Sequence, residues 1–101
     1  MTLASMNHAT FAPHVNSKFQ VTNDEGATVD VEMVETFELT DVPAQERFSL
    51  IFRSGLERIL AQGTYQFSHP ELGELELFIV PIRQDAESRY YEAAFNRTFK
   101  S

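Results

Sequence analysis

The stretch from Gly63 to Ile82, GTYQFSHPELGELELFIVPI, constrains the fold more than any other part of this chain. Apolar residues alternate with polar ones on both sides of the turn sequence HPELG: Tyr65, Phe67, Leu75, Leu77 and Ile79. Such alternation places apolar side chains on one face of a strand, and a proline-led turn that ends in glycine joins two such strands. The stretch therefore predicts a β-hairpin with strands Thr64–Ser68 and Glu74–Val80 and a loop from Pro70 to Gly73.

Four further segments have the alternation of strands, and short polar turns separate most of them. They are Phe19–Thr22, Ala27–Leu39, Phe48–Arg53 and Tyr90–Phe95. A short helix is predicted from Ser5 to about Val15, because Pro13 limits it to one or two turns. We expect a second short helix at Leu56–Ala61 with Ser54 as its cap, and polar loops at Asp41–Glu46 and Arg83–Ser88. The predicted fold class is all-β (mainly): a small antiparallel β-barrel or roll of about six strands with a short N-terminal helix.

The long strand Ala27–Leu39 has one fault in its alternation, because Val34 and Glu35 interrupt the outward and inward sets side by side. One extra residue in a strand exchanges its faces locally, so we predict a β-bulge at this point. The predicted core is Val29, Val31, Met33, Phe37, Phe48, Leu50, Phe52, Tyr65, Phe67, Leu75, Leu77, Ile79 and Phe95. We also expect the acidic strands with Asp30/Glu32 and Glu74/Glu76 not to be neighbours, because like charges that face each other destabilise a sheet.

Length and composition indicate a single β domain over residues 1–101, with an ordered core at about 7–96. The formal net charge of −7 argues against nucleic acid and anionic membranes as partners, because both attract clustered Lys and Arg. The chain has no cysteine, which excludes disulfides and thiolate chemistry. No run is long and apolar enough for a membrane span, and MTLASMNHATF does not have the pattern of a secretory signal. We therefore expect cytoplasmic synthesis.

No group of residues has the spacing of a known catalytic or metal-binding motif. The three histidines, His8, His14 and His69, have no partner at the short spacings of a metal pair, and no serine lies in a nucleophile motif. Glu74 and Glu76 share a strand face roughly 7 Å apart, but this spacing occurs on any solvated strand. We expect no catalytic residue, no metal, no cofactor and no enzymatic activity. His69 precedes Pro70, and we interpret it as a turn residue that bonds a nearby backbone group.

Two groups of residues are candidates for binding. Four arginines flank the loops on either side of the hairpin and form either an anion site or ion pairs with surface acids: Arg53, Arg58, Arg83 and Arg89. Phe78–Ile82 is apolar on both faces, so its second face is covered within the chain or meets a partner. The candidate protein-contact surface is Phe78, Val80, Tyr90 and Tyr91.

Successive residues of a strand point to opposite faces, so at least one of the two tyrosines is expected to be exposed or to touch a partner. The alternatives are that both tyrosines cover the rims of a barrel and that the N-terminal helix, through Phe11 and Val15, covers the second face of Phe78–Ile82. An open sheet would also leave backbone edges, and Phe78–Val80 carries little charge to protect one.

Several segments together resemble a family of small, uncharacterised bacterial proteins that carry a domain of unknown function. The matching segments are FSLIFR from Phe48, QGTY from Gln62, HPELG from His69, LELFIVPI from Leu75 and YEAAFN from Tyr91, within residues 10 to 96. The resemblance implies a small β domain and supplies no catalytic residues. Members of the family are often encoded near phage tail-collar-like proteins. The resemblance therefore implies that such a domain is incorporated into a virion or tail-like particle.

The leading hypothesis is a non-enzymatic structural or adaptor module of a phage-tail-like or other protein assembly. Its partner would be a protein, either a second copy or another component, and it would act through β-surface contacts. The alternative is a barrel that binds a small ligand or peptide, which would require a cavity with converging polar groups.

Overall fold

The computed structural model describes residues 8–23, 26–39, 45–56 and 60–98. The six strands are β1 Lys18–Thr22, β2 Thr28–Leu39, β3 Gln45–Gly55, β4 Gly63–His69, β5 Gly73–Gln84 and β6 Ser88–Thr98. A short helix, α1 His8–Phe11, runs into a single 3-10 turn at Ala12–His14, where Pro13 ends the α-helical hydrogen bonding.

The strands form a closed antiparallel barrel in the order β1-β2-β3-β6-β5-β4, and β4 pairs with β1 to complete it. The predicted fold class is confirmed. The acidic strands β2 and β5 are not neighbours, as we expected. The bare edge strands that an open sheet would leave are not present among the six strands, because each of them has a neighbour on both sides.

The closure is uneven along β5. This strand pairs with β4 over Gly73–Ile79 but with β6 only over Val80–Gln84. Backbone groups of alternate residues in an antiparallel strand point to opposite sides. Between Gly73 and Ile79, the β6 side of β5 therefore lacks a paired strand among the described residues.

The bulge in β2 is confirmed, and it also explains an error in the predicted core. The register with β3 shifts between Met33 and Glu35. Beyond this point the faces are exchanged, so that Thr36 lies opposite the buried Leu50 and Phe37 lies opposite Ser49. Phe37 is 37% exposed, so its placement in the core is wrong.

Most of the other predicted core residues are buried, and Tyr65 and Phe95 pack on the core while remaining partly exposed. The prediction omitted several residues that complete the core: Phe11, Phe19, Val21, Leu60, Leu72, Tyr91 and Ala93. Phe11 is fully buried, and its ring lies 6.0 Å from the rings of Phe48 and of Phe95. The N-terminal segment thus packs on the interior face of β3 and β6.

The hairpin at β4 and β5 is confirmed. Gly73 has a positive φ of 78°, as predicted, but it pairs with His69 and belongs to β5. Three residues therefore lie between the two strands, and the predicted four-residue loop from Pro70 to Gly73 is too long by one residue. Strands β3 and β6 are longer than we predicted, because Gln45, Glu46 and Ser54 belong to β3 and Asn96 belongs to β6. Ser54 is therefore not a helix cap.

Residues 40–44 and 57–59, on which the predicted loop and second helix fall, lie outside the described residues, as do 1–7 and 99–101. The loop predicted at Arg83–Ser88 shortens to residues 85–87, since Arg83 and Gln84 are in β5 and Ser88 is in β6.

Candidate functional site

The outer face of β5 carries the most exposed large apolar side chains of the described residues. Phe78 is 52% exposed and Ile82 is 43% exposed, while Val80 between them is half-buried. Strand alternation places Phe78 and Val80 on the face opposite the buried Leu77 and Ile79. Ile82 lies at the register shift between Pro81 and Arg83, where alternation is interrupted. Phe78 and Val80 were predicted contact residues. Ile82 was missed, although its even spacing from Phe78 and Val80 was visible in the sequence.

The two tyrosines of β6 have different environments. Tyr90 is half-buried on the outer face, where it lies opposite Arg53 of β3 and Arg83 of β5. The guanidinium carbon of Arg83 lies 4.4 Å from the centre of the Tyr90 ring, which is a cation–π contact. We refer to Phe78, Val80, Ile82 and Tyr90 as the β5 outer surface.

Tyr91 belongs to the barrel interior, so its prediction as a contact residue is wrong. Its side chain is 1% exposed, and its register places it opposite the buried Phe52. The Tyr91 hydroxyl accepts a hydrogen bond from the backbone N–H of Leu60 at 3.1 Å and lies 3.5 Å from the hydroxyl of Ser54. With so little of it exposed, Tyr91 is not part of an exposed protein-contact surface.

The N-terminal helix does not cover the β5 outer surface. Phe11, its buried residue, contacts the rings of Phe48 and Phe95, and Phe78 remains half exposed. The alternative in which this helix hides the second face of β5 is therefore wrong.

A tight turn holds the end of the β5–β6 hairpin. Asp85 accepts the backbone N–H groups of Glu87 and Ser88 at 2.9 and 2.8 Å, and the Tyr90 hydroxyl donates to it at 3.0 Å. The backbone bonds from Glu87 and then from Ser88 are the main reason that the pKa of Asp85 is lowered. These bonds and the Arg83 stack fix the position of the Tyr90 ring.

A cleft of about 310 Å³ opens at the same end of the barrel. Its lining includes Leu60, Pro81, Ile82, Arg83, Arg89 and Tyr91. Arg89 donates from Nη1 to the side-chain oxygen of Gln84 at 2.6 Å, while its Nε is buried and has no hydrogen-bond partner among the described residues.

The four arginines that we singled out do not form one site. Arg53 pairs with the carboxylate of Glu32, and this charge, followed by a hydrogen bond with Tyr90, raises the pKa of Arg53. Arg58 lies outside the described residues. Of the three described arginines, Arg83 and Arg89 line one cleft and Arg53 does not, so the ion-pair interpretation holds for Arg53.

His69 is a turn residue, as predicted. It is 5% exposed, and its Nδ1 accepts the backbone N–H groups of Glu71 and Leu72 at 3.1 and 3.3 Å. The His14 ring lies 4.8 Å away. Burial, and secondarily the charge of His14, lowers the pKa of His69.

The other candidates give no site among the described residues. Glu74 and Glu76 are exposed on the outer face of β5. No group of three or more His, Asp or Glu among the described residues could hold a metal ion. The described part of the chain also contains no helix with the length and apolar run needed to cross a lipid bilayer.

A family model described as a domain of unknown function (DUF6916) matches residues 6–95 of the chain. This match confirms the resemblance to a domain of unknown function and covers nearly the whole barrel. Neither a curated protein nor a solved structure matches the chain.

Proposed function

The chain belongs to the DUF6916 family of domains of unknown function, and we propose that it is a non-enzymatic structural or adaptor module that contacts another protein through the β5 outer surface. The observation that carries this proposal is the exposure of Phe78 and Ile82 on either side of Val80. Single exposed apolar residues are common, but adjacent ones on a rigid strand are typical of interaction sites.

The composition of this surface fits a protein contact. Its residues are aromatic or aliphatic, and aromatic side chains are enriched in the buried centres of protein interfaces. Charged residues border it, since Glu76 precedes Phe78 on the same face and Glu92 lies opposite Val80. An apolar centre with a charged border resembles the core and rim of an interface.

The backbone of β5 supplies a second reason. Between Gly73 and Ile79, its β6 side lacks a paired strand among the described residues. An extended segment of a partner can add to such a strand through main-chain hydrogen bonds, while its side chains contact the adjacent surface. Backbone pairing and apolar contact would then act on the same partner segment.

The class of assembly is a proposal that rests on the resemblance rather than on a contact. We propose a tail-like particle as the assembly because the sequence resemblance implies a phage tail-collar context. A second copy of the chain is the other partner that the same surface would accept.

Site-specific photo-crosslinking tests the contact. The photoreactive residue p-benzoylphenylalanine replaces Phe78 in one variant and Phe37 in a matched control, because both phenylalanines are exposed but lie on different strands. We expect position 78 to crosslink in the native cell to one protein or to a second copy, and position 37 not to do so. A Val80→Lys change in the same chain should abolish the adduct, because it places a charge at the centre of the contact.

The stability of the Val80→Lys variant must be measured as a control, because Val80 is half-buried and the change could unfold the protein. If the variant unfolds, Ile82→Lys replaces it, since Ile82 is more exposed. Equal adducts at positions 78 and 37, or none at position 78 together with a monomer by light scattering, would contradict the proposed function.

A further inference from the structure

The cleft beside Arg89 has the features of a small-ligand site, and it shares Ile82 and Tyr90, but not Phe78 or Val80, with the β5 outer surface. Its volume of about 310 Å³ is at the lower end of the range for small-ligand pockets, roughly 300–1,000 Å³. The floor is apolar and is lined by Leu60, Pro81 and Ile82. Two guanidinium groups, from Arg83 and Arg89, supply the charge.

Arg89 is held in place but incompletely bonded. The Gln84 oxygen accepts from Nη1, which fixes the plane of the guanidinium. The buried Nε has no partner among the described residues, and Arg89 forms no ion pair with any described carboxylate. A buried charged donor without an acceptor is unfavourable, so a ligand that supplied an acceptor here would be favoured.

The charge around the cleft selects for an anion. The described residues of the lining include no Asp or Glu, in a chain whose formal net charge is −7. The nearby Asp85 already accepts two backbone N–H groups and the Tyr90 hydroxyl. By contrast, a second cleft of about 380 Å³ is lined by both Lys18 and Asp30, whose charges offset each other.

We propose that this cleft binds the carboxylate of a small organic acid with an apolar body. The planar fork of Arg89 matches the two oxygens of a carboxylate, and its Nε–H donates to one of them. The second positive charge, on Arg83, lies at the same cleft, and the apolar body of the ligand packs on Leu60 and Pro81. A phosphate fits the guanidinium equally well but leaves the apolar floor unused.

Titration of ¹⁵N-labelled protein with benzoate, followed by NMR at the side-chain Nε–H signal of Arg89, tests the proposal directly. We expect benzoate to shift this signal in a saturable way. Benzamide, which has the same shape without the charge, should bind much more weakly. Inorganic phosphate should produce a smaller shift than benzoate, because it gains no apolar contact.

The variant Arg89→Lys keeps the charge but loses the fork, and we expect its affinity for benzoate to fall roughly tenfold. Arg47→Lys is the matched control, because Arg47 does not line the cleft. It lies near the N-terminal end of β3, whereas Arg89 pairs with Ser54 near the C-terminal end. If Arg89→Lys does not fold, the benzoate titration of the unchanged protein, followed at the Nε–H signal of Arg89, still tests the proposal.

Three results would overturn the proposal: an Arg89 signal that benzoate leaves unmoved, equal binding of benzamide, or tighter binding of phosphate. The test is separate from that of the proposed function, because it needs no protein partner and does not change Phe78 or Val80. Either idea can fail while the other stands.

Discussion

The Nε2 atom of His69 lies 3.0 Å from the Oγ atom of Ser17, although the two residues are 52 positions apart in the sequence. The other hydrogen bonds of these two side chains determine which atom is the donor and which is the acceptor. His69 accepts two backbone N–H groups at Nδ1, so the neutral ring carries its proton on Nε2 and donates to Ser17. The Ser17 hydroxyl in turn donates to the carbonyl of His14. The β4–β5 turn is therefore tied to the segment that precedes β1.

Replacing His69 with Ala should lower the free energy of unfolding by roughly 1–3 kcal/mol, because it leaves the backbone N–H groups of Glu71 and Leu72 without their acceptor. His69→Asn is the matched variant, since its side-chain oxygen can accept at a similar distance from the backbone. Urea unfolding followed by circular dichroism measures both. Equal losses in the two variants would show that ring packing, not hydrogen bonding, stabilises the turn.

Stability should also depend on pH through His69. Its pKa is lowered from the ordinary value of 6.5, so the folded protein binds this proton more weakly than the unfolded chain does. The contribution of His69 is therefore complete above about pH 6.5 and is lost as the pH falls below that value.

Urea unfolding at about pH 7.5 and about pH 5 measures this effect. The difference in unfolding free energy should shrink in His69→Asn, whereas His8→Asn serves as a control outside the cluster. His14 and Glu71 are the other titratable groups beside His69, and they remain in both variants. An unchanged difference in His69→Asn would contradict the prediction.

Gly73→Val should cost roughly 1–2 kcal/mol of stability, because a β-branched residue resists positive φ. The cost comes from the backbone alone, since nothing lies within 4 Å of the position that a Cβ would take at Gly73. Gly73→Asn should cost less, because Asn tolerates this conformation better. Thermal unfolding compares the two, and a Val variant as stable as the Asn variant would be the contrary result.

Phe48→Ala and Leu77→Ala should each lower the free energy of unfolding by roughly 2–5 kcal/mol through lost burial and the cavity left behind. Phe48 is 1% exposed and stacks on Phe95 with ring centres 4.4 Å apart. Phe37→Ala removes the same side chain from the outer face beyond the bulge, and its cost should be clearly smaller. Denaturant unfolding of the three variants checks the order. If Phe37→Ala cost as much as Phe48→Ala, the face assignment beyond the bulge would be wrong.

Local patterns in the sequence determined the strands, the hairpin turn and the position of the bulge. Alternation follows from the geometry of an extended chain, so Leu75, Leu77 and Ile79 could be assigned to one face without knowledge of their neighbours. The turn was equally local, because Gly73 supplies the positive φ that follows Pro70 and Glu71. These elements account for the fold class.

Only the tertiary structure decided which face of each strand points inward after a bulge and how the barrel closes. Phe37 turned outward because the extra residue in β2 exchanged its faces, and Tyr91, not Tyr90, entered the core because Phe52 lies opposite it. Pairing between β1 and β4 likewise depends on residues far apart in the chain. The Ser17–His69 bond also joins distant segments, and the Arg89 cleft requires Leu60 beside the β5–β6 hairpin. Contacts between distant segments leave no periodic signal in the sequence.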